Sequence, residues 1–152
     1  MEELRSEFLF EMRVEVHPYV PTGATAAGER RIVNIRGGRF EGPRLRGEVM
    51  ASGADWIRAE PGGRLRLDVR AALRTDDGAV IYLQYQGVRH GPAEVIRRLD
   101  AGEAVDPSEY YFRTLLTFET GDPRYDWLNG TVAVGVGRRL PEGPVYRVHA
   151  VL

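Results

Sequence analysis

Residues 37–56 read Gly-Gly-Arg-Phe-Glu-Gly-Pro-Arg-Leu-Arg-Gly-Glu-Val-Met-Ala-Ser-Gly-Ala-Asp-Trp, with glycines at 37, 38, 42, 47 and 53. Short pieces with strand character lie between those glycines. Glycine inside a strand pattern marks a bend, a bulge or the close approach of another backbone. Glycines repeated at this density suit a sheet that is curved hard, as at the corners of a barrel. The run ends on Asp55 and Trp56, and two readings of that pair stand. Trp56 sits in the core while Asp55 caps the turn, the commoner fate of such residues, or an exposed indole and an acid form a piece of a binding site.

Outward from this stretch the chain is a succession of strands. Residues 6–17 alternate, with Phe8, Phe10, Met12, Val14 and Val16 on one face and Glu11, Arg13 and Glu15 on the other. Residues 18–29, rich in Pro, Gly, Thr and Ala, read as a loop. Residues 31–36 read as a short strand entering the glycines, and 45–51 and 56–60 as two separate strands beyond them. After the turn Pro61-Gly62-Gly63, the residues Leu65, Leu67, Val69, Ala71 and Leu73 share one strand face, opposite Arg64, Arg66, Asp68, Arg70 and Arg74. Asp76-Asp77-Gly78 is a hairpin turn, and residues 79–89 return as a strand.

One helix is predicted, over residues 92–100. Proline stands in its first turn, Glu94 lies early, Arg97 and Arg98 lie late, and Gly102 follows its end. Val95, Ile96 and Leu99 give it an apolar stripe. Residues 109–120 form a strand with Tyr110, Phe112, Thr114, Leu116 and Phe118 on one side and Tyr111, Arg113, Thr117 and Glu119 on the other. Residues 122–128 are predicted to form a helical turn and Asn129-Gly130 a tight turn, with closing strands at 131–138 and 145–152. Strands joined by tight turns, with a single short helix, make an all-β domain spanning residues 1–152. The glycine bends and the need to protect strand edges favour a single closed antiparallel barrel of roughly eight to ten strands over a sandwich.

Composition narrows the chemistry. The net charge of −1 lacks the basic excess of a nucleic-acid binder. The chain has no cysteine, which excludes disulfides, thiolate metal sites and a Cys nucleophile. It also has no lysine, all 21 basic residues being Arg, so a Lys Schiff base is excluded. The start, Met-Glu-Glu-Leu-Arg, does not resemble a signal peptide, and no apolar run reaches membrane-spanning length, so a cytosolic protein is expected. The glycine stretch is not a phosphate cradle, because strands rather than a helix N-terminus follow it. His17, His90 and His149 share no ligand spacing, so no metal is expected, and no cofactor motif appears. The serines lack the elbow motif of a serine hydrolase.

Several phrases occur together in a particular order: Gly37-Gly38 with Phe40-Glu41-Gly42-Pro43, Gly53-Ala54-Asp55-Trp56, Thr75-Asp76-Asp77-Gly78-Ala79-Val80-Ile81-Tyr82, Tyr111-Phe112-Arg113-Thr114, Phe118-Glu119-Thr120, and Tyr125-Asp126-Trp127-Leu128-Asn129. In this combination nearly the whole chain resembles the DUF3237 family, also called UPF0311. The resemblance implies a small, single-domain antiparallel β-barrel in the cytosol. It implies no particular activity, the family being named for lacking one.

Asp68 and Arg70 share a strand face, as do Tyr111, Arg113, Thr117 and Glu119, with Tyr82, Gln84 and Gln86 as a third polar row. These rows are either the wet outer faces of the barrel or, in part, the lining of a cavity in which acids and arginines pair. Parity alone leaves both open. On the cavity reading the site lies at one barrel end, where Asp55 and Trp56 meet Arg113 and residues 122–129. Trp56 and Trp127 would supply apolar walls, Arg113 a bidentate grip on an oxyanion, and Asp55 the acid–base group. Asp68 and Arg70 form a reserve pair, and Tyr85 is a donor to a ligand oxygen. The expected function is small-molecule binding, either with cofactor-free isomerase, lyase or cyclase chemistry or as a non-catalytic carrier of an apolar ligand. The exposed aromatics lead to the expectation of a homodimer.

Overall fold

The structure, a computed structural model, describes residues 2–152. It contains nine strands: β1 (Ser6–Val16), β2 (Val20–Thr25), β3 (Gly28–Glu41), β4 (Arg46–Ala59), β5 (Leu65–Thr75), β6 (Val80–His90), β7 (Tyr111–Glu119), β8 (Val132–Leu140) and β9 (Gly143–Val151). The helix α1 (Ala93–Asp100) lies between β6 and β7, and a 3₁₀ stretch, Pro123–Gly130, lies between β7 and β8. From β3 to β9 each strand pairs antiparallel with the next, β9 pairs with β1, and β1 pairs with β3. Eight strands therefore close a barrel, as the turn-rich, glycine-bent sequence requires, and β2 lies outside the ring against the first half of β3.

The β2 strand is the element that sequence patterning misses. All six of its residues are exposed, so no apolar alternation distinguishes it from a loop. Two other boundaries differ for a related reason. Residues 31–41 belong to one strand that runs through Gly37 and Gly38, and residues 46–59 form one bent strand rather than two. Between Val49 and Gly53, β4 advances four residues while β5 advances two, from Leu73 to Ala71. That bulge absorbs the bend without breaking the strand. In β1 a bulge at Leu9 turns Phe8 outward, against His149, while Leu9 and Phe10 are both buried.

Apolar faces point inward. Leu65, Leu67, Val69, Ala71 and Leu73 of β5 are buried, whereas Arg66, Arg70 and Arg74 face water. The same parity buries Phe112, Thr114, Leu116 and Phe118 of β7 and leaves Tyr111, Leu115, Thr117 and Glu119 exposed. One end of the barrel is solid. Phe10 stacks edge-on against Phe40 and Phe118, with centroids 5.5 and 6.3 Å apart, and Leu128 of the 3₁₀ stretch is fully buried as a plug. The other end, covered in part by α1, is open.

Two glycines make the curvature possible. A Cβ at Gly38 would overlap the Arg13 carbonyl of β1, at the seam that closes the ring. Gly53, in the β4 bulge, has φ +89°, and a Cβ there would overlap the Arg70 carbonyl. Gly62, with φ +93°, sits in an open turn with nothing near its missing Cβ. Gly53→Ala thus combines left-handed strain with a backbone clash. It is expected to lose at least about 2 kcal/mol, or roughly 4–8 °C in Tm. Gly62→Ala carries the strain alone and is expected to lose about half as much. Thermal melts of the two variants that coincide would show that close packing at the bulge is not what demands glycine.

Candidate functional site

The open end of the barrel encloses a cavity of about 240 Å³. Its walls are apolar, built from Val14, Ile35, Ile57, Leu67, Val69 and Phe112. Into this lining project Asp55, Tyr85, Arg89, Arg139 and Tyr146, with Leu99 and Asp100 contributed by α1. His17, Tyr19 and Arg31 border the cavity from the β1–β2 connection and β3, with the Arg31 guanidinium 5.1 Å from the Tyr19 ring centre and paired with Glu29 at 2.8 Å.

Asp55 owes its position to the β4 bulge. The bulge adds an even number of residues, so Val49, Gly53 and Asp55 stay in phase, opposite the inward residues Leu73, Ala71 and Val69. One carboxylate oxygen, Oδ1, accepts the backbone N–H of Asp68 at 3.1 Å. Burial against apolar walls pushes the Asp55 pKa up to about 7. The Asp68 N–H draws it down, and the Asp68 charge adds to the rise. No arginine contributes to that balance.

Tyr85 and Tyr146 meet edge to face across the interior, with ring centroids 5.3 Å apart, and Tyr146 packs in the same way on Phe112 at 5.4 Å. Both phenols are held above their ordinary pKa, chiefly by burial, so they are neutral hydrogen-bond donors. Tyr146 feels the Asp55 charge and, with opposite sign, the charges of Arg139 and Arg89. Arg89 is 8% exposed, and burial lowers its pKa. Its Nη2 donates to Asp100 Oδ1 at 3.3 Å, while its Nε has no hydrogen-bond partner among the described residues. The Arg139 backbone N–H donates to the Tyr110 hydroxyl at 3.0 Å. Among the described residues no group of three or more His, Asp or Glu side chains is arranged to hold a metal ion.

Of the residues singled out in the sequence, Asp55 and Tyr85 line the cavity, and the others do not. Trp56, next in β4, alternates outward and is 41% exposed, its carbonyl accepting Arg30 Nη1 at 2.8 Å. Asp68 stands between the inward Leu67 and Val69 and does not line the cavity; its backbone N–H bonds Asp55 and its charge raises the Asp55 pKa. Arg70 is on the wet face. Arg113 falls between the inward Phe112 and Thr114; its Nη1 donates to the Phe112 carbonyl at 2.9 Å and it lies over the Tyr111 ring. Trp127 belongs to the 3₁₀ stretch at the solid end, with the Arg44 guanidinium 3.6 Å from its ring centre. The expected meeting of Asp55 with Arg113 and residues 122–129 is therefore corrected. The 3₁₀ stretch is at the opposite end of the barrel, and strand alternation turns Arg113 out.

Arg89, Arg139 and Tyr146 line the cavity and are residues that the sequence pattern did not single out. A signal for two of them was present. Arg89 is in phase with the inward Ile81, Leu83 and Tyr85, and Tyr146 with Val148 and Ala150. A charged or phenolic residue at the end of an otherwise apolar strand face reads as a pocket residue once that face is known to point inward.

The raised Asp55 pKa has a consequence for stability. Folding takes up a proton at Asp55 wherever pH lies between the ordinary value of 3.8 and about 7. The stability contributed by this group is complete below that window and is lost as pH rises through about 7. Asp55→Asn is expected to flatten the pH dependence and to be the more stable protein near pH 8, by on the order of 2 kcal/mol once water at the cavity mouth is allowed for. Urea midpoints measured from about pH 5 to 8 check this. Parallel slopes for the two proteins would mean that Asp55 is solvated and ionised in the fold.

The site sits in a chain whose relatives share its whole length. A family model described as a protein of unknown function, DUF3237, matches residues 4–151. A UPF0311 protein of Rhodopseudomonas palustris is 39% identical over 149 residues, covering 98% of this chain and 97% of that one. A crystal structure of a conserved protein of unknown function from the same species superposes with a TM-score of 0.96 at 38% identity, covering 100% of both chains. A β-barrel-like protein from Acinetobacter baumannii is 43% identical with a TM-score of 0.88, covering 100% of this chain and 98% of that one. An enzyme from Penicillium herquei has a TM-score of 0.76 at 22% identity, covering 100% and 97%, a likeness of fold alone. With nearly its full length matched by the family model and by relatives above one-third identity, the chain belongs to the DUF3237, or UPF0311, family.

Proposed function

We propose that the open barrel end binds a small, mainly apolar molecule and that Asp55 transfers a proton on it, making the protein an isomerase-, lyase- or cyclase-type enzyme that needs no cofactor. The observation that carries this reading is the Asp55 carboxyl, pKa about 7 and paired with no arginine, facing a cavity that also holds neutral phenols, arginines, His17 and the Arg89-paired Asp100. Near neutral pH such a group is a competent base in one half of the cycle and an acid in the other.

In the first step the ionised Asp55 takes a proton from carbon next to a carbonyl, or from a hydroxyl. The electron pair moves onto the substrate oxygen. Tyr85 and Tyr146, neutral phenols of the cavity lining, donate hydrogen bonds to that developing oxyanion in this reading, and such donors are most effective where water is scarce. In the second step the protonated Asp55 returns its proton at a different atom, which completes an isomerisation or a ring closure, or delivers it to a leaving group. A carrier would use the same apolar walls without the proton transfer.

Proton exchange tests this without knowledge of the natural substrate. Small cyclic ketones such as 2-tetralone, incubated in deuterated buffer with the protein, report exchange at the α-carbon by NMR. The wild type is expected to accelerate exchange, more strongly as pH rises through about 7, and Asp55→Asn to lose roughly 10²–10⁴-fold of that acceleration. A ketone that binds, as seen by protein chemical shifts, yet exchanges equally with wild type and variant leaves the carrier reading in place of the enzyme.

A further inference from the structure

We infer that the ligand of this cavity is amphiphilic, a small carboxylate whose apolar body fills the barrel end and whose carboxylate docks on Arg89 and Arg139. The inference rests on the reading of the barrel end as a ligand pocket and is independent of proton transfer at Asp55.

Three cations border the cavity, and their pairing is uneven. Arg31 has Glu29 at 2.8 Å, and Arg89 has Asp100 at 3.3 Å through Nη2 alone. Arg139 makes no ion pair among the described residues. Arg89 is more than nine-tenths buried, and its Nε–H, also buried, is without an acceptor. A buried guanidinium donor left unsatisfied costs stability, so such donors are normally matched. Arg139 also acts on Arg89 as a like charge, and two guanidinium groups in one poorly solvated space repel unless an anion lies between them. A carboxylate fits that position. It accepts from a planar fork of N–H donors, which is the geometry arginine presents.

Asp55 does not fill this role. Among the described residues it forms no ion pair with Arg89 or Arg139, and its carboxylate accepts from the Asp68 backbone N–H instead. The cavity thus holds Arg89 beside α1 and Arg139, apolar walls, and an Asp55 carboxyl that pairs with neither arginine. An engineered cavity of about 150 Å³ accepts benzene, so about 240 Å³ has room for roughly ten non-hydrogen atoms. That is one ring with a short acid side chain.

Cinnamate and its uncharged isostere cinnamamide are the probes, titrated by calorimetry into wild type, Arg139→Gln, Arg89→Met and Asp55→Asn, at low and high salt. Wild type is expected to bind cinnamate about tenfold or more tightly than the amide, with the preference shrinking in high salt. Arg139→Gln is expected to erase most of that preference, lowering cinnamate affinity far more than cinnamamide affinity. Asp55→Asn is expected to retain the preference, which separates this inference from the proton-transfer reading. Arg89→Met removes a buried group, and if that variant does not fold, Arg139→Gln alone decides the outcome. Equal binding of acid and amide to wild type, or an unchanged preference in Arg139→Gln, overturns the inference while the pocket reading stands. Binding of neither probe overturns both.

Discussion

Closure of the sheet at the β1–β3 seam is the constraint on which the rest of this protein depends. β1 pairs with β9 along one edge and with the second half of β3 along the other, so the ring has no free edge of its own. The seam brings two backbones close enough that Gly38 has no room for a side chain beside the Arg13 carbonyl. Open strand edges invite pairing with other chains, and closure removes them. The first half of β3, which β1 does not reach, is covered by the short exposed strand β2. This flap follows from a β3 that serves two partners on one side.

Closure also creates an interior that the chain fills unequally. At one end, Phe10, Phe40, Phe118 and Leu128 pack to a solid core, the region from which most of the stability should come. At the other end, large side chains stop short of filling the space, and polar groups border it, among them Asp55, Tyr85, Arg89, Asp100, Arg139 and Tyr146. Burying such groups costs free energy unless they are satisfied. Their concentration at one end of an otherwise apolar barrel is the pattern of a site, where local rules of packing are relaxed for function.

Within that end, the placement of charge matters as much as its presence. A carboxylate beside an arginine is held ionised and is a weak base. Asp55 escapes this because it is paired with neither Arg89 nor Arg139, and its hydrogen bond comes from a neutral backbone N–H. Burial then dominates and lifts the group to the pH at which it can both accept and release a proton. The cavity thus holds an unpaired carboxyl and arginine side chains in a space large enough for a single ring.

Much of the fold was legible in the chain order of residues. Alternation in β1, β5 and β7, the turns at Pro61-Gly62-Gly63 and Asp76-Asp77-Gly78, and the capped helix near 93–100 are local properties, and glycine density pointed to curvature. Asp55 and Tyr85, both singled out in the sequence, line the cavity. What could not be read was position across the barrel. Arg113, Trp56 and Trp127 had suitable chemistry, but strand alternation turned the first two outward and closure carried the third to the opposite end. Arg89, Arg139 and Tyr146 come from three different strands, and only pairing across the sheet places them around one cavity. A strand's sequence determines which residues share a face. Which face looks inward, and which strands confront one another there, follows from the register and closure of all eight strands together, a property no single segment contains.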